Sequence, residues 1–438
     1  MIDIVDENGR DDMQLLRSFA VLGSALIAIS TVTVQPATAD TPPLCLYPGN
    51  QTAAARICMN DSGQIDGAFA TWKNAPVTFD SGAAIGDWVR NYVDMTPVDG
   101  TGIEMGLRST KAGQVGRTYE PYWAEYGAQT YQEHAIAPAR GPASADGLQH
   151  SYMVLRSGRT TQWDVLYDFN PVGRTSLQSQ GYTDSFSVQL ETNNLRNTTI
   201  GEMEDRFQYL APDGQWLRFD RAKVSTQVTT CDSNNPPPFC FNATLTGSPK
   251  AISWQVSKPA GTSSARLAQP PLSIPNAAVL NGVDQRALAR CMASDPTRCI
   301  RDVPGLVRCV QARLLCNQNA SAAQRSAASA NNASARAAAK TAGVRLASDQ
   351  VKRLAAARFH VAEHQIETRT ITTAAYDQMA GTHLSQTWGA NLPLRVATST
   401  AEARAGKSDA QYRGLTAVYD PASGQLLHAT LGLQRPFA

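Results

Sequence analysis

Long hydrophobic runs are almost missing from this chain. Phe19-Ala-Val-Leu-Gly-Ser-Ala-Leu-Ile-Ala-Ile29 is the one sustained apolar stretch, and a membrane-spanning helix needs about 20 such residues. An excess of one charge is missing too: 39 Lys and Arg face 37 Asp and Glu, a net charge of +2. A balance this even excludes a polyanion-binding surface read from charge alone, so neither nucleic acid nor an anionic membrane is an expected partner. There is no Cys-x-x-Cys pair, which argues against a structural zinc site. There is no Gly-x-Ser-x-Gly elbow for a serine nucleophile and no glycine loop to cradle phosphate. No cofactor is therefore expected.

The short apolar run follows Arg17 and precedes Ala37-Thr38-Ala39, the small-x-small pattern that a signal peptidase cleaves. Pro36 keeps that site extended because its ring disfavours helix around it. Residues 1–39 are thus expected to be a signal peptide cut before Asp40, leaving a secreted, extracellular chain with no membrane contact. The first residues, with Asp3, Asp6, Glu7, Asp11 and Asp12, are acidic where export signals begin basic; Met13, followed by Arg17, is the expected true start.

In such a compartment the eight cysteines read as disulfides. Local pairing predicts Cys45–Cys58 as a staple of segment 40–66, and Cys231–Cys240 around Pro236-Pro237-Pro238. The last four lie at spacings that return to one helix face. An antiparallel helix pair predicts Cys291–Cys316 and Cys299–Cys309, with the sequential pairing Cys291–Cys299 and Cys309–Cys316 open.

Composition changes near residue 255. Six of the seven tryptophans precede it, among short alternating runs separated by turn residues. Tyr152–Arg156 with Trp163–Phe169, and Arg206–Leu210 with Gln215–Phe219, read as hairpins; Asp213-Gly214 supplies the positive φ that a tight turn needs. The expected fold class is mainly β: an antiparallel two-sheet β-sandwich over 67–256, then a linker over 257–282. A disulfide-linked helical segment rich in Ala and Ser follows over 283–345. A small α+β module closes the chain over 346–438, with a helix near Asp349–Arg358, extended segments at Ile366–Ala375 and Leu394–Thr400, and a final hairpin.

Chemistry concentrates in the β-rich half. Gly102-Ile-Glu104-Met-Gly106-Leu107 is followed by Arg117-Thr-Tyr119 and Pro121-Tyr122-Trp123, then Gln162-Trp163, Pro171-Val-Gly173 and Phe186-Ser-Val-Gln189-Leu-Glu191. This order, over about 67–220, resembles the neprosin-type glutamic peptidases. The resemblance implies an antiparallel β-sandwich in which two glutamates, one on each of two strands, activate water for peptide hydrolysis; by position they are Glu104 and Glu191. The chain departs from the family pattern at Leu107, at Gln189-Leu190, and in lacking the family's cysteine pair. Strand alternation independently puts Ile103, Met105 and Leu107 on one face and Glu104 and Arg108 on the other. It likewise separates Phe186, Val188 and Leu190 from Ser187, Gln189 and Glu191. Two carboxyls meeting across a cleft would titrate apart, one charged and one protonated, and such a pair works best in acid. Tyr122, Trp123 and Gln189 are the candidate substrate contacts. On the bland alternative, both glutamates are solvent-face residues.

A second motif is His360-Val-Ala-Glu363-His364, the order of inverted zinc peptidases. On a helix the two histidines would share a face, with Glu363 as base and Glu402 as third ligand; a strand over 359–366 would separate them. No metal is assigned. The competing function classes are a non-catalytic sandwich that binds a glycan or other polymer on Trp123, Tyr122 and Tyr131, and an interaction protein that docks through its C-terminal section. Expected partners are an extracellular peptide or glycan polymer.

Overall fold

The structure, a computed structural model, describes residues 53–97, 101–112, 118–127, 129–136, 149–156, 161–176, 183–260, 283–284, 287–288, 290–291, 299–306, 346–405, 410–422 and 424–432. The expected signal peptide, the expected start at Met13, and the Ala/Ser-rich stretch before 346 lie outside them. Among the described residues no helix is long and apolar enough to cross a membrane.

The chain is mostly β, built as two antiparallel sheets. The first holds, in order, β14 (Val224–Gln227), β1 (Ala53–Ile65), β11 (Thr183–Thr192), β4 (Trp88–Pro97), β5 (Gly102–Thr110), β6 (Glu120–Tyr126), β7 (Tyr131–Ala135), β20 (Leu426–Leu431), β19 (Ala410–Tyr419), β18 (Pro393–Ala405) and β17 (Glu367–Thr372). The second runs β10 (Asn170–Arg174), β9 (Trp163–Tyr167), β8 (Gln149–Arg156), β2 (Gly67–Lys73), β12 (Thr198–Leu210), β16 (Ala251–Lys258) and β15 (Asn242–Ser248). Two short strands, β3 (Val77–Phe79) and β13 (Trp216–Arg218), pair onto β12. β16 runs on to Lys258, into the expected linker.

Period-two alternation fills the space between the sheets. Ile103, Met105 and Leu107 of β5 and Phe186, Val188 and Leu190 of β11 meet Trp72, Tyr152, Val154, Phe207 and Trp254 of the second sheet. Trp72 stacks on Tyr152 with centroids 4.0 Å apart. The outer face of the second sheet is covered as well. There Phe69, Met153, Leu155 and Leu166 pack on α1 (Cys299–Asp302) and on Val303 and Leu306.

The C-terminal strands form no sheet of their own. β20 pairs with β7, with His428 opposite His134 and Leu431 opposite Tyr131, so the first sheet continues through them. Over this sheet's second face lies α2 (Ser348–Phe359). Its Val351, Leu354, Ala355 and Phe359 recur at helical spacing and make one apolar stripe. They pack against Ala124, Tyr126, Tyr131, Ala397 and Ala417, a burial worth on the order of 5 kcal/mol as an upper estimate. Gln350 Oε1 accepts from the Ala347 amide at the helix start. His360, left-handed at φ 53°, ends the helix. The extended segment expected to reach Ala375 stops at Thr372, because the Thr372 hydroxyl accepts from the Ala375 amide and caps α3 (Thr373–Ala380).

The Cys231–Cys240 bridge is present. Cys58 is disulfide-bonded, and its expected partner Cys45 lies outside the described residues. The antiparallel-helix pairing is corrected: Cys291 bonds Cys299, their Cα atoms 5.6 Å apart, within the reach of a disulfide. With the near partner taken, neither Cys291–Cys316 nor Cys299–Cys309 forms; Cys309 and Cys316 lie outside the described residues.

Candidate functional site

The second face of the first sheet carries the charge. Because β1, β11, β4, β5, β6 and β7 lie side by side, alternation aligns Arg56, Glu191, Gln189, Arg90, Tyr92, Asp94, Glu104, Arg108, Glu120, Tyr122, Tyr131 and Glu133 on it. The expected division of faces in β5 and β11 holds. The solvent-face alternative does not, because Glu104 is 0% exposed and Glu191 3%. A buried charge must be paired, and here the pairing is dense.

Arg90 joins the two glutamates. Its Nη1 donates to Glu104 Oε1 at 3.1 Å and its Nη2 to Glu191 Oε2 at 2.6 Å. Two hydrogen bonds and the spread of one guanidinium keep the bonded oxygens within roughly 8 Å of each other. Arg56 Nη2 donates to the other Glu191 oxygen at 2.9 Å. Arg90 also lies 4.5 Å from the Trp88 ring centroid and 4.9 Å from that of Tyr92.

The two carboxyls differ in proton affinity for stated causes. Burial pushes Glu104 above its ordinary value, and Arg90 opposes this only in part. Its Oε2 has no hydrogen-bond partner among the described residues. Burial pushes Glu191 up as well, but Arg90 and then Arg56 outweigh it, and the group lies below its ordinary value. Asp94, opposite Glu104 across the strand pair, is raised by burial and by Glu104. It accepts from Tyr126 OH at 2.8 Å and from Gln189 Nε2 at 3.3 Å.

A second knot lies one strand pair away. Arg108 donates to both Glu120 and Glu133. Glu133 Oε2 accepts from Tyr131 OH at 2.7 Å and from Arg358 Nη2, on α2, at 2.6 Å. Tyr131 OH lies 3.3 Å from Glu104 Oε1 and so ties the two knots together. Gly106, the glycine of the Glu-x-Gly segment, sits between them opposite Tyr92 and Tyr122. A Cβ there would lie 2.1 Å from Asn91 O and 2.5 Å from Tyr92 Cβ.

The candidate substrate contacts are placed otherwise than expected. Gln189 is buried, and its Oε1 accepts from Arg56 Nε at 2.7 Å and Tyr92 OH at 3.1 Å. Tyr122 and Trp123 are neighbours in a strand and point to opposite faces. Tyr122 faces the charged network, under the Arg108 guanidinium, and Trp123 faces the sandwich core and stacks on His134 at 4.0 Å. Tyr122 and Tyr131 are 0% exposed and Trp123 5%, so these rings form no surface platform for a sugar.

The histidine motif does not form on a helix. α2 ends at Phe359, His360 turns left-handed, and His364 sits in a separate 3₁₀ turn, Glu363–Gln365. His360 and Glu402 line one open surface pocket with Arg404. Among the described residues no three His, Cys, Asp or Glu side chains converge as metal ligands would.

Arg108 was placed with Glu104 by alternation, but Arg56, Arg90 and Arg358 were missed. Arg90 had a signal, since β4 reads Trp88, Arg90, Tyr92, Asp94 on one face and Val89, Asn91, Val93, Met95 on the other. That is a strand covered on both sides. Arg358 had none, being brought in from 225 residues beyond Glu133.

No family model matches the chain, and no curated protein does. Among solved structures, scytalido-glutamic peptidase bound to a peptide-based transition-state analogue is similar at 12% identity, over 47% of this chain and 98% of that one, with a TM-score of 0.31. SCP-B, a member of the eqolisin family of peptidases, is similar at 13% identity, over 47% and 96%, with a TM-score of 0.25. LamAcat from Zobellia galactanivorans is similar at 11% identity, over 48% and 76%, with a TM-score of 0.20. Likenesses this faint establish no activity.

Proposed function

We propose that this chain is a secreted, extracellular glutamic-endopeptidase-like hydrolase acting on peptide in acid, held latent in the conformation described. The observation that carries this is the pair itself: two carboxyls bound to one guanidinium, with proton affinities moved in opposite directions. That asymmetry is what general acid–base hydrolysis needs. Glu191, charged, takes a proton from water as the oxygen attacks the scissile carbonyl. Glu104, protonated, gives its proton to the carbonyl oxygen. When the tetrahedral intermediate collapses, the proton held by Glu191 passes to the leaving amine and Glu104 recovers its own. Neither metal nor cofactor enters the scheme. The bridges Cys231–Cys240 and Cys291–Cys299 fit an oxidising compartment.

Burial is the reason for latency: water and a peptide reach the pair only after the cover of this sheet face moves, and α2 is the part of that cover that bonds Glu133 and Tyr131. The same burial favours a second proposal, that the network is a purely structural ionic core. Peptide cleavage from acid to neutral pH by the mature chain, beside Glu104→Gln and Glu191→Gln, separates the two. A chain with weakened α2 contacts, Leu354→Ala with Arg358→Ala, is assayed in parallel. The hydrolase gives activity highest in acid, larger in the loosened chain, and about 100-fold lower or less with either glutamine. Equal activity in all chains, or none in any, leaves the structural core.

A further inference from the structure

Arg358 occupies a pocket that it does not build. The walls come from β4, β5 and β7: Trp88, whose ring centroid lies 5.8 Å from the guanidinium, with Glu104, Tyr131 and Glu133. The acceptor is held in place without α2. Arg108 binds Glu133 Oε1, and Tyr131 OH binds Glu133 Oε2. Arg358 then adds one donor, Nη2, at 2.6 Å from Glu133 and 3.2 Å from Tyr131 OH. Its buried Nε has no partner among the described residues. Arg90 and Arg108 each bind two carboxylates; Arg358 binds one, through a single terminal nitrogen.

The pocket also leads to the two-glutamate site. Tyr131 OH bonds Glu133 on one side and Glu104 on the other, so an arginine seated there lies one hydroxyl away from Glu104. A preformed carboxylate flanked by an aromatic ring suits a guanidinium carried by any chain that can reach it.

We propose that the pocket formed by Glu133, Tyr131 and Trp88 is a recognition site for the basic side chain of a polypeptide, and that α2, through Arg358, fills it as an internal stand-in. That the ligand is a substrate rests on the two-glutamate hydrolase; the binding itself does not. α2 keeps its place by an apolar stripe and one arginine, two contacts that a peptide of the same pattern can replace.

The probe is a labelled synthetic peptide with the sequence of residues 346–361, beside the same peptide with alanine in place of the arginine that corresponds to Arg358. Binding is followed by anisotropy in the full chain carrying Leu354→Ala with Arg358→Ala, after thermal melts show that it folds. The arginine peptide is expected to bind about tenfold or more tighter than its alanine counterpart. Unmodified protein supplies a measurement that needs no substitution: hydrogen exchange. Amides of 348–359 are expected to exchange before those of β4, β5 and β11, and faster still when the arginine peptide is present in excess. Equal binding of the two peptides by the folded variant overturns the proposal, and so does exchange of 348–359 only on global unfolding. Arginine-dependent binding without any cleavage keeps the pocket and removes the hydrolase, so the two failures are distinguishable.

Discussion

Glu104 and Glu191, on strands that flank β4, bind the two terminal nitrogens of the single guanidinium of Arg90. Their environments make them unequal, and glutamine substitution reads the inequality. Glu191→Gln removes a charge from between Arg56 and Arg90 and leaves both guanidiniums under-compensated in the interior; it is expected to cost roughly 3 kcal/mol. Glu104→Gln replaces a carboxyl whose protonated form is favoured by a neutral group of the same shape. In acid it is expected to cost less than about 1 kcal/mol. Urea unfolding of both variants at one acid pH checks the ratio.

Gly106 tests the packing of the network. With Asn91 O and Tyr92 Cβ both inside normal contact of an added Cβ, Gly106→Ala is expected to destabilise by roughly 3 kcal/mol or more. Gly214, in a turn at φ +82° with nothing within 4 Å of an added Cβ, should lose only about 1 kcal/mol on the same change. Thermal melts of the two variants separate steric conflict from backbone preference.

Asp205 gives a stabilising substitution. It lies between the sheets, accepts from Asn91 Nδ2 at 3.3 Å, and burial pushes it from 3.8 up to about 8. A raised carboxyl favours folding while both states are protonated. The unfolded chain then loses its proton near its ordinary value and the folded chain does not, so stability falls as pH rises from about 4 to about 8. Asp205→Asn is expected to remove that slope and to raise stability by roughly 2–4 kcal/mol at pH 7. Melts across that interval check both.

The acid limb has the opposite sign. Burial pushes Glu133 up, but Arg108 and then Arg358 bring it down to about 2. A depressed carboxyl contributes stability that is full above its ordinary value of 4.5 and is lost as pH falls toward 2. Burial likewise lowers His428 from 6.5 to about 4; that contribution is lost between those values. On acidification these two contributions are lost in separate intervals, the His428 one against the opposite slope of Asp205 and beside that of His134, which burial lowers to about 3. Relative to the unsubstituted chain, His428→Gln should change the pH dependence of melting temperature only between about 6.5 and 4, and Glu133→Gln only below about 4.5.

Which parts of this were legible in the sequence follows from the range of the interactions. Alternation in β5 and β11 is local, so the core faces of Ile103, Met105 and Val188 and the opposite placement of Glu104 and Glu191 could be read directly. The Cys231–Cys240 loop is equally local. That the polar face is buried was not legible, because α2, which packs on Tyr131 and bonds Glu133, comes from far along the chain, and burial of a strand face depends on what packs over it. The union of β20 with β7 is a non-local pairing with no sequence mark. The Cys291–Cys316 and Cys299–Cys309 pairing failed because helix spacing does not say which cysteines the tertiary fold brings together, and the fold sets the Cα atoms of Cys291 and Cys299 5.6 Å apart.

The measurement that bears most directly on the two-glutamate pair is the titration of both carboxyls in the folded protein. It follows side-chain carboxyl ¹³C shifts, assigned with Glu104→Gln and Glu191→Gln. At pH 4.5, the ordinary value of a glutamate, Glu104 is expected to be mostly protonated and Glu191 mostly charged. Both charged at that pH, or the order reversed, would contradict the assignment of Glu104 as acid and Glu191 as base.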